Sequence, residues 1–288
     1  SPLSFTLSVL DIPGATVETF HPKAVHLYGN TLYVANDAPG HYSLEVFDVS
    51  SGNVRHVKSM VEWMNGDKKE TFAGEPNGVT RSYGKIYVTN TGSRTDVFDA
   101  ETYEFITCIG TGTWGEGGYQ TVHAFDVTAS QGAVFIRDKR KLVVVLEQDV
   151  QPGSAARVPI YSRSVNLQEA MGTYAVAARN DGFLYVTAQN KNIIYLFDPA
   201  DIRAGDTGFA PYLVTLGFEK SPQSIAFVGD RLFVTLRVDD KRSELWEISP
   251  KNGKLLQDFT DSMVYPEKIA GARHTLLVVD RATQTVKA

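Results

Sequence analysis

A hairpin-like segment recurs along the chain at nearly regular intervals. Residues 75–90 read EPNGVTRSYGKIYVTN, which is a proline, a short apolar segment, a tight turn at Gly84 and the β-rich run 86–90. Isoleucine, tyrosine, valine and threonine favour a half-buried strand, and Tyr-Gly-Lys is typical of a tight connection between two strands. The segment is therefore predicted to form a β-hairpin.

The same pattern returns three times with a proline and twice without one. The other proline copies begin at His21, Ser221 and Tyr265, and in all four the proline precedes the central residue of the second strand by 11 positions. Two looser copies, within residues 122–138 and 172–188, lack the proline and are predicted to carry a turn two residues longer. The central residues of the six copies are Tyr33, Tyr87, Phe135, Tyr185, Phe233 and Leu277.

The spacing of these copies predicts the fold class. Successive central residues lie 54, 48, 50, 48 and 44 positions apart, and the interval from Leu277 through both chain ends back to Tyr33 is also 44. A period of roughly 40 to 50 residues built only from short strands is typical of a β-propeller with one four-stranded blade per repeat. We therefore predict an all-β, six-bladed β-propeller with four-stranded antiparallel blades.

The two ends of the chain are expected to meet in one blade. Residues 4–10 alternate like a strand before the first repeat, while the last repeat has room for only one further strand, near Val286. The N-terminal strand should complete the last blade, because an open ring would expose two sheet edges. We expect a single domain over residues 1–288, with blades at approximately 18–64, 72–112, 119–167, 170–217, 219–261, and 263–288 together with 1–12.

Charge and cysteine content argue against several classes of function. The net charge of −5 offers neither a basic footprint for nucleic acid nor a polybasic patch for a membrane surface. Cys108 is the only cysteine, so an intrachain disulfide and a cysteine zinc cluster are excluded. We expect a monomer. The start at Ser1 fits a secreted or extracytoplasmic protein after signal removal as well as a trimmed chain, which leaves the location open.

Two familiar catalytic patterns are missing. The segment 109–127 carries five glycines but lacks the Gly-Lys-Ser/Thr ending and the following helix of a phosphate-binding loop. The sequence also has no Gly-x-Ser-x-Gly elbow, which disfavours nucleophilic catalysis by serine.

Two motifs resemble those of known propellers. The glycine-rich run ending at residues 118–120, followed by His-Ala-Phe-Asp-Val at 123–127, resembles the start of an NHL repeat, and residues 87–90 are the YVTN motif of the related YVTN propellers. Propellers of this kind include the calcium-dependent lactonases and esterases of the gluconolactonase (SMP-30) and paraoxonase group, strictosidine synthase, streptogramin lyase and non-catalytic scaffolds. The resemblance extends over nearly the whole chain and implies the fold, but it leaves the function open.

The resemblance also implies where a site would lie. In those enzymes the chemistry takes place on the innermost strands, at the position just after the proline of each repeat. Transferred by position, that ring is Lys23, Asn77, His123, Thr173, Gln223 and Glu267. All six are polar, which ligand binding and simple hydration of the channel would both explain. We expect a small-molecule ligand in the central channel, bound by Lys23, Asn77, Thr173 and Gln223.

The resemblance implies two catalytic chemistries and one alternative. Asn77 and Glu267 are the expected ligands if a lactonase-like or esterase-like hydrolase uses calcium, although Lys23 brings a positive charge to the same ring. A strictosidine-synthase-like enzyme would need no metal and would use Glu267 as its acid/base, with His123 as a second catalytic candidate. The cofactor is therefore calcium or none. The alternative is a non-catalytic NHL-type scaffold that binds a protein or a glycan through its loops.

Overall fold

The computed structural model describes residues 3–110, 123–138, 141–152, 161–166, 175–188, 192–198, 212–217 and 219–288. These residues form six four-stranded antiparallel sheets and one additional two-stranded hairpin, which confirms the predicted six-bladed β-propeller. In the described residues, single-turn 3-10 helices lie at Val9–Asp11, Glu147–Asp149 and Thr260–Ser262. None of the helices in the described residues is long and apolar enough to cross a membrane.

Each of blades 1 to 5 uses four strands that follow one another in the chain from the channel outward. Blade 1 contains β2 (Pro22–Tyr28), β3 (Thr31–Asn36), β4 (Ser43–Asp48) and β5 (Arg55–Met60). Blade 2 contains β8 (Pro76–Ser82), β9 (Lys85–Asn90), β10 (Arg94–Asp99) and β11 (Phe105–Ile109). Blade 3 contains β12 (Ala124–Ser130), β13 (Ala133–Asp138), β14 (Lys141–Leu146) and β15 (Tyr161–Asn166).

The remaining blades repeat this order, and the last one also uses the N-terminal strand. Blade 4 contains β16 (Val176–Ala178), β17 (Leu184–Ala188), β18 (Ile193–Phe197) and β19 (Tyr212–Gly217). Blade 5 contains β20 (Ser221–Val228), β21 (Arg231–Arg237), β22 (Ser243–Ile248) and β23 (Leu255–Asp258). Blade 6 contains β24 (Pro266–Gly271), β25 (Leu276–Asp280), β26 (Thr285–Lys287) and, outermost, β1 (Thr6–Leu7).

Pairing of the two chain ends closes the ring as predicted. Thr6 pairs with Lys287 and Leu7 pairs with Val286, so β1 fills the outer position of blade 6. Leu7 and Val286 are fully buried in a core between blades 6 and 1. Five further apolar clusters fill the other contacts between neighbouring blades. Each first strand packs against the first strands of the two adjacent blades, and these strands surround the central channel.

A two-stranded hairpin, β6 (Glu62–Asn65) and β7 (Lys68–Thr71), lies between blades 1 and 2. The polar composition of residues 65–70 predicts only a solvated loop, but Trp63 on β6 packs edge-on against Phe98 of blade 2 at a ring distance of 4.9 Å. Arg94 of β10 binds Glu70 at 2.8 Å. These apolar and charged contacts hold the hairpin against blade 2. The partner residues Phe98 and Arg94 lie more than 20 positions further along the chain, so the composition of residues 65–70 does not indicate them.

Candidate functional site

In five of the blades, a bulge at the start of the inner strand turns one side chain toward the channel. In five blades the ladder between the first and second strands skips one residue, directly after the proline or its equivalent. A β-bulge leaves the extra residue unpaired and re-aims its side chain. The skipped residues are Lys23, Asn77, Phe125, Gln223 and Glu267. All five line one cleft of about 460 Å³ at this end of the channel, here called the mouth cleft.

The register of blade 3 corrects one member of the predicted ring. Ala124 pairs with Asp138 as Pro22 pairs with Asn36, so Phe125 occupies the bulge and His123 lies outside it. Blade 3 also lacks the longer turn that was expected for it. Ser130 pairs with Ala133, so a two-residue turn joins its first two strands, as in blade 1. In the proline copies, the proline lies 11 positions before the central residue of the second strand. The same count from Phe135 gives Ala124 as the equivalent of the proline, and the bulge residue Phe125 follows it directly. Thr173 lies outside the described residues.

A second set of mouth residues, not predicted from the sequence, lies at or directly after the end of the second strand in blades 1, 2, 5 and 6. Each lies four positions after the central residue of its repeat, a regular spacing that could have revealed the set. Its members in the mouth cleft are Asp37, Thr91, Arg237 and Arg281. Glu75, Asp240 and Tyr265 complete the charged and aromatic part of the wall. The mouth cleft therefore presents cations and carboxylates together, beside the rings of Phe125 and Tyr265.

Lys23 and Glu267 form the central ion pair of the mouth cleft. Lys23 Nζ lies 2.8 Å from Glu267 Oε1, and Arg281 lies 3.5 Å from Glu267 Oε2. Burial alone would raise the pKa of the Glu267 carboxyl, but the Lys23 ammonium and the Arg281 guanidinium outweigh it, so this pKa is lowered. Burial likewise opposes the charged form of Lys23, yet the Glu267 carboxylate outweighs it and raises the pKa of Lys23. Both groups are therefore charged at neutral pH.

Asp37 and Glu75 form an acidic sector on blades 1 and 2. Within the described residues neither carboxylate makes an ion pair closer than 4 Å. Burial raises the pKa of Asp37, Lys23 partly offsets this effect, and Glu75 adds to it. Burial and these two carboxylates also raise the pKa of the neighbouring Tyr42 phenol. This sector has acceptor capacity for a positively charged group.

The Pro-Asn-Gly element at residues 76–78 has a structural role. Asn77 Nδ2 donates to the carbonyl oxygen of Ala124 at 2.7 Å, and Asn77 Oδ1 accepts a hydrogen bond from Thr89 Oγ1 at 2.8 Å, which ties blade 2 to blade 3. A Cβ on Gly78 would lie 2.4 Å from Thr89 Oγ1 and 2.9 Å from Asp126 Cα, so only glycine fits without displacement. These contacts explain the motif without reference to a ligand.

The donor set at the mouth does not suit calcium. Calcium requires six to eight oxygen ligands, usually with several carboxylates. The Asn77 amide is already used between blades, and two cations neutralise Glu267. Among the described residues, no group of three or more His, Cys, Asp and Glu side chains is placed to hold a metal ion. A ligand of the mouth cleft is therefore expected to bind to these side chains directly, without a metal ion.

Gln223 carries a buried acceptor in the wall of the mouth cleft. Its side chain lines the cleft while the residue is only 9% exposed, and among the described residues Oε1 has no hydrogen-bond partner. A buried polar atom without a partner costs roughly 1–3 kcal/mol. A donor supplied by a ligand or by water would recover this energy.

An ion pair across the channel forms the floor of the mouth cleft. Lys268 Nζ on blade 6 lies 2.9 Å from Asp126 Oδ1 on blade 3, the blade opposite in the ring. Asp126 Oδ2 also accepts the backbone N–H of Val176 at 3.0 Å. Lys268 lines both the mouth cleft and a smaller cavity at the other end of the channel, and Asp126 lines the smaller cavity.

Comparisons with known proteins support the fold. No protein-family model matches the chain, and no curated protein matches it. The β-propeller domain of Myceliophteria thermophila Cps50 (Swd1) is similar at 12% identity and a TM-score of 0.61, over 95% of this chain and 97% of that one. A proposed 6-phosphogluconolactonase from Bacteroides uniformis is similar at 14% identity and a TM-score of 0.60, over 91% and 78%. At such low identity, this likeness shows that the chain has the β-propeller fold and does not extend to function.

Proposed function

We propose that the protein binds a small charged organic molecule in the mouth cleft. The observation that carries this proposal is the unpartnered acceptor of Gln223, buried beside the Lys23–Glu267 pair in a cleft of about 460 Å³. Ligand pockets commonly have volumes of roughly 300–1,000 Å³, with a few polar groups that orient the ligand.

The charges of the mouth cleft favour a ligand that carries groups of both signs. Asp37 and Glu75 face it from blades 1 and 2, whereas Arg237 and Arg281 face it from blades 5 and 6. An amino or other basic group fits the acidic sector. A carboxylate or phosphate fits the side with the guanidinium groups, because arginine binds such anions through paired hydrogen bonds.

The test is a screen of small charged metabolites by thermal shift, followed by calorimetry on the compounds that stabilise the protein. Gln223→Leu and Glu267→Gln are expected to weaken binding by about 10-fold or more, since one hydrogen bond to a charged group is worth roughly 1.5–3 kcal/mol. Gln223→Leu should leave the free protein at least as stable as the wild type, because it removes the orphaned acceptor.

Glu62→Gln is the matched control, because Glu62 pairs with Lys69 on the exposed hairpin, at 2.9 Å, away from the channel. Affinity should be unchanged in this variant. Hits that bind both mouth variants as tightly as the wild type would refute the assignment.

A catalytic version of this proposal makes Glu267 a general base. Its lowered pKa keeps the carboxylate ionised at neutral pH, which disfavours the role of proton donor and also makes the carboxylate a weak base. A lactonase-like or esterase-like hydrolase and a strictosidine-synthase-like enzyme are the two forms that the NHL and YVTN resemblance implies. Catalysis would be supported if the Glu267→Gln variant, at saturating substrate, loses the turnover of a lactone or an ester that the wild type hydrolyses.

A non-catalytic scaffold is the second candidate function, and one surface observation favours it. Tyr28 and Tyr83 lie at the hairpin turns of blades 1 and 2, at the channel end opposite the mouth, and they are 51% and 75% exposed. Exposed aromatic residues on neighbouring loops are common in protein and glycan recognition. Tyr83→Ser in a glycan-array or pull-down experiment would test this role without disturbing the mouth.

A further inference from the structure

The far end of the channel holds a second cavity, here called the lower chamber. It has a volume of about 240 Å³ and is lined by later residues of the inner strands, so it lies beyond Asp126 and Lys268 as seen from the mouth. Most of its wall is alanine, valine and isoleucine. Its polar side chains besides that ion pair are His26, Thr80, Arg81 and Thr128.

Arg81 brings an uncompensated positive charge to this chamber. Its Nη1 donates to Tyr33 Oη at 2.9 Å, and its guanidinium carbon lies 4.0 Å from the centre of the Tyr28 ring. These contacts hold the side chain but do not neutralise it. Within the described part of the chain, no carboxylate lies within ion-pair distance of Arg81, and its buried Nε has no acceptor.

The other charged groups of the lower chamber do not compensate Arg81. Lys268 and Asp126 neutralise each other at 2.9 Å. Burial, helped by the nearby Arg81, lowers the pKa of His26 to about 4, so its imidazole is neutral at pH 7. A neutral imidazole has one N–H to donate, and the Thr80 and Thr128 hydroxyls can donate as well. The chamber thus combines one guanidinium with several neutral donors inside apolar walls.

We propose that the lower chamber binds a small oxyanion, a carboxylate or a phosphate group, through the guanidinium of Arg81. The buried Nε–H has no partner in the protein, and charge-assisted hydrogen bonds from guanidinium to such anions are among the strongest in proteins. This site is distinct from the mouth cleft and does not depend on what the mouth binds.

Titration of the whole protein with sodium phosphate and, separately, with sodium acetate tests the proposal. Both are read out by calorimetry and thermal shift at constant ionic strength set with sodium chloride. We expect saturable binding of at least one anion, weakened about 10-fold or more in Arg81→Gln, which loses a hydrogen bond between charged groups. The two titrations show whether phosphate or carboxylate is preferred.

Two further variants make the result decisive. Arg81→Lys keeps the charge and the stem but lacks Nε, so it should remain folded and still bind more weakly than the wild type. Arg55→Gln removes an exposed guanidinium from the outer strand of blade 1, outside both cavities, and should leave this binding unchanged. Absence of saturable binding, full affinity in both Arg81 variants, or loss of binding in Arg55→Gln would each overturn the proposal.

Discussion

The ion pair across the channel offers a quantitative test of the structure. Lys268→Met leaves the Asp126 carboxylate without its cation at a position where both side chains are only 12% and 10% exposed. Removal of one partner from a buried pair costs about 3–5 kcal/mol. Water can reach this pair from both channel ends, so we expect the lower limit, about 3 kcal/mol. At about 2.1 cal/mol/K per residue, the unfolding entropy of the 288-residue chain is about 0.6 kcal/mol/K, so this cost corresponds to a decrease in Tm of about 5 °C.

A double-mutant cycle isolates the interaction itself. Asp126→Asn retains an oxygen that can accept the Val176 N–H while it removes the charge. The double variant with Lys268→Met should therefore be within about 1 kcal/mol of the wild type, because neither uncompensated charge remains. Urea unfolding followed by tryptophan fluorescence measures all four proteins, with Lys69→Met as an exposed control expected to change stability by under about 0.5 kcal/mol. A coupling energy below about 0.5 kcal/mol would refute a direct bridge between blades 3 and 6.

Two further predictions concern the channel walls. Gly78→Ala should lower the free energy of unfolding by about 1–3 kcal/mol, because the new methyl group would meet Thr89 and the Asp126 backbone; a urea midpoint equal to that of the wild type would contradict the close approach. The pKa of His26 is about 4 in the folded protein, below its unfolded value of about 6.5, so the folded state favours the neutral imidazole. The contribution of this preference to stability is therefore complete above about pH 6.5. That contribution, up to about 3 kcal/mol, should be lost as the pH falls toward 4. The pH dependence of urea unfolding should be flatter in His26→Phe over this range, and an identical dependence would show that His26 is not buried as described.

Much of the fold could be predicted because a propeller repeats its local chemistry. The proline lies 11 positions before the centre of the second strand in four blades, and this spacing alone indicates hairpins of equal geometry. The leftover strand at the N-terminus and the short last repeat predicted closure of the ring, which the pairing of Leu7 with Val286 confirms. Both features are local in sequence, so periodicity reveals them.

Less of the candidate site than of the fold could be predicted from the sequence. The proline predicts the positions of Lys23, Asn77, Gln223 and Glu267, which line the mouth cleft, while their roles in binding and catalysis stay predictions. Blade 3 has no proline to mark the position, so the sequence points to His123, two positions before the bulge residue Phe125.

The contact between Asp126 and Lys268 joins residues 142 positions apart, and nothing in either local sequence indicates the partner. The arrangement of Arg81, Tyr28 and Tyr33 is likewise set by packing between two blades. Contacts of this kind depend on how the blades face one another, which the spacing of the repeats does not specify.

A crystal structure of the protein with a compound selected by the metabolite screen tests the central claim most directly. We predict ligand density in the mouth cleft, with a donor of the ligand at Gln223 Oε1 and a charged group beside Lys23 or Glu267. Density for the compound only on the outer strands or loops, with the mouth cleft holding solvent alone at saturating ligand, would contradict the proposed function.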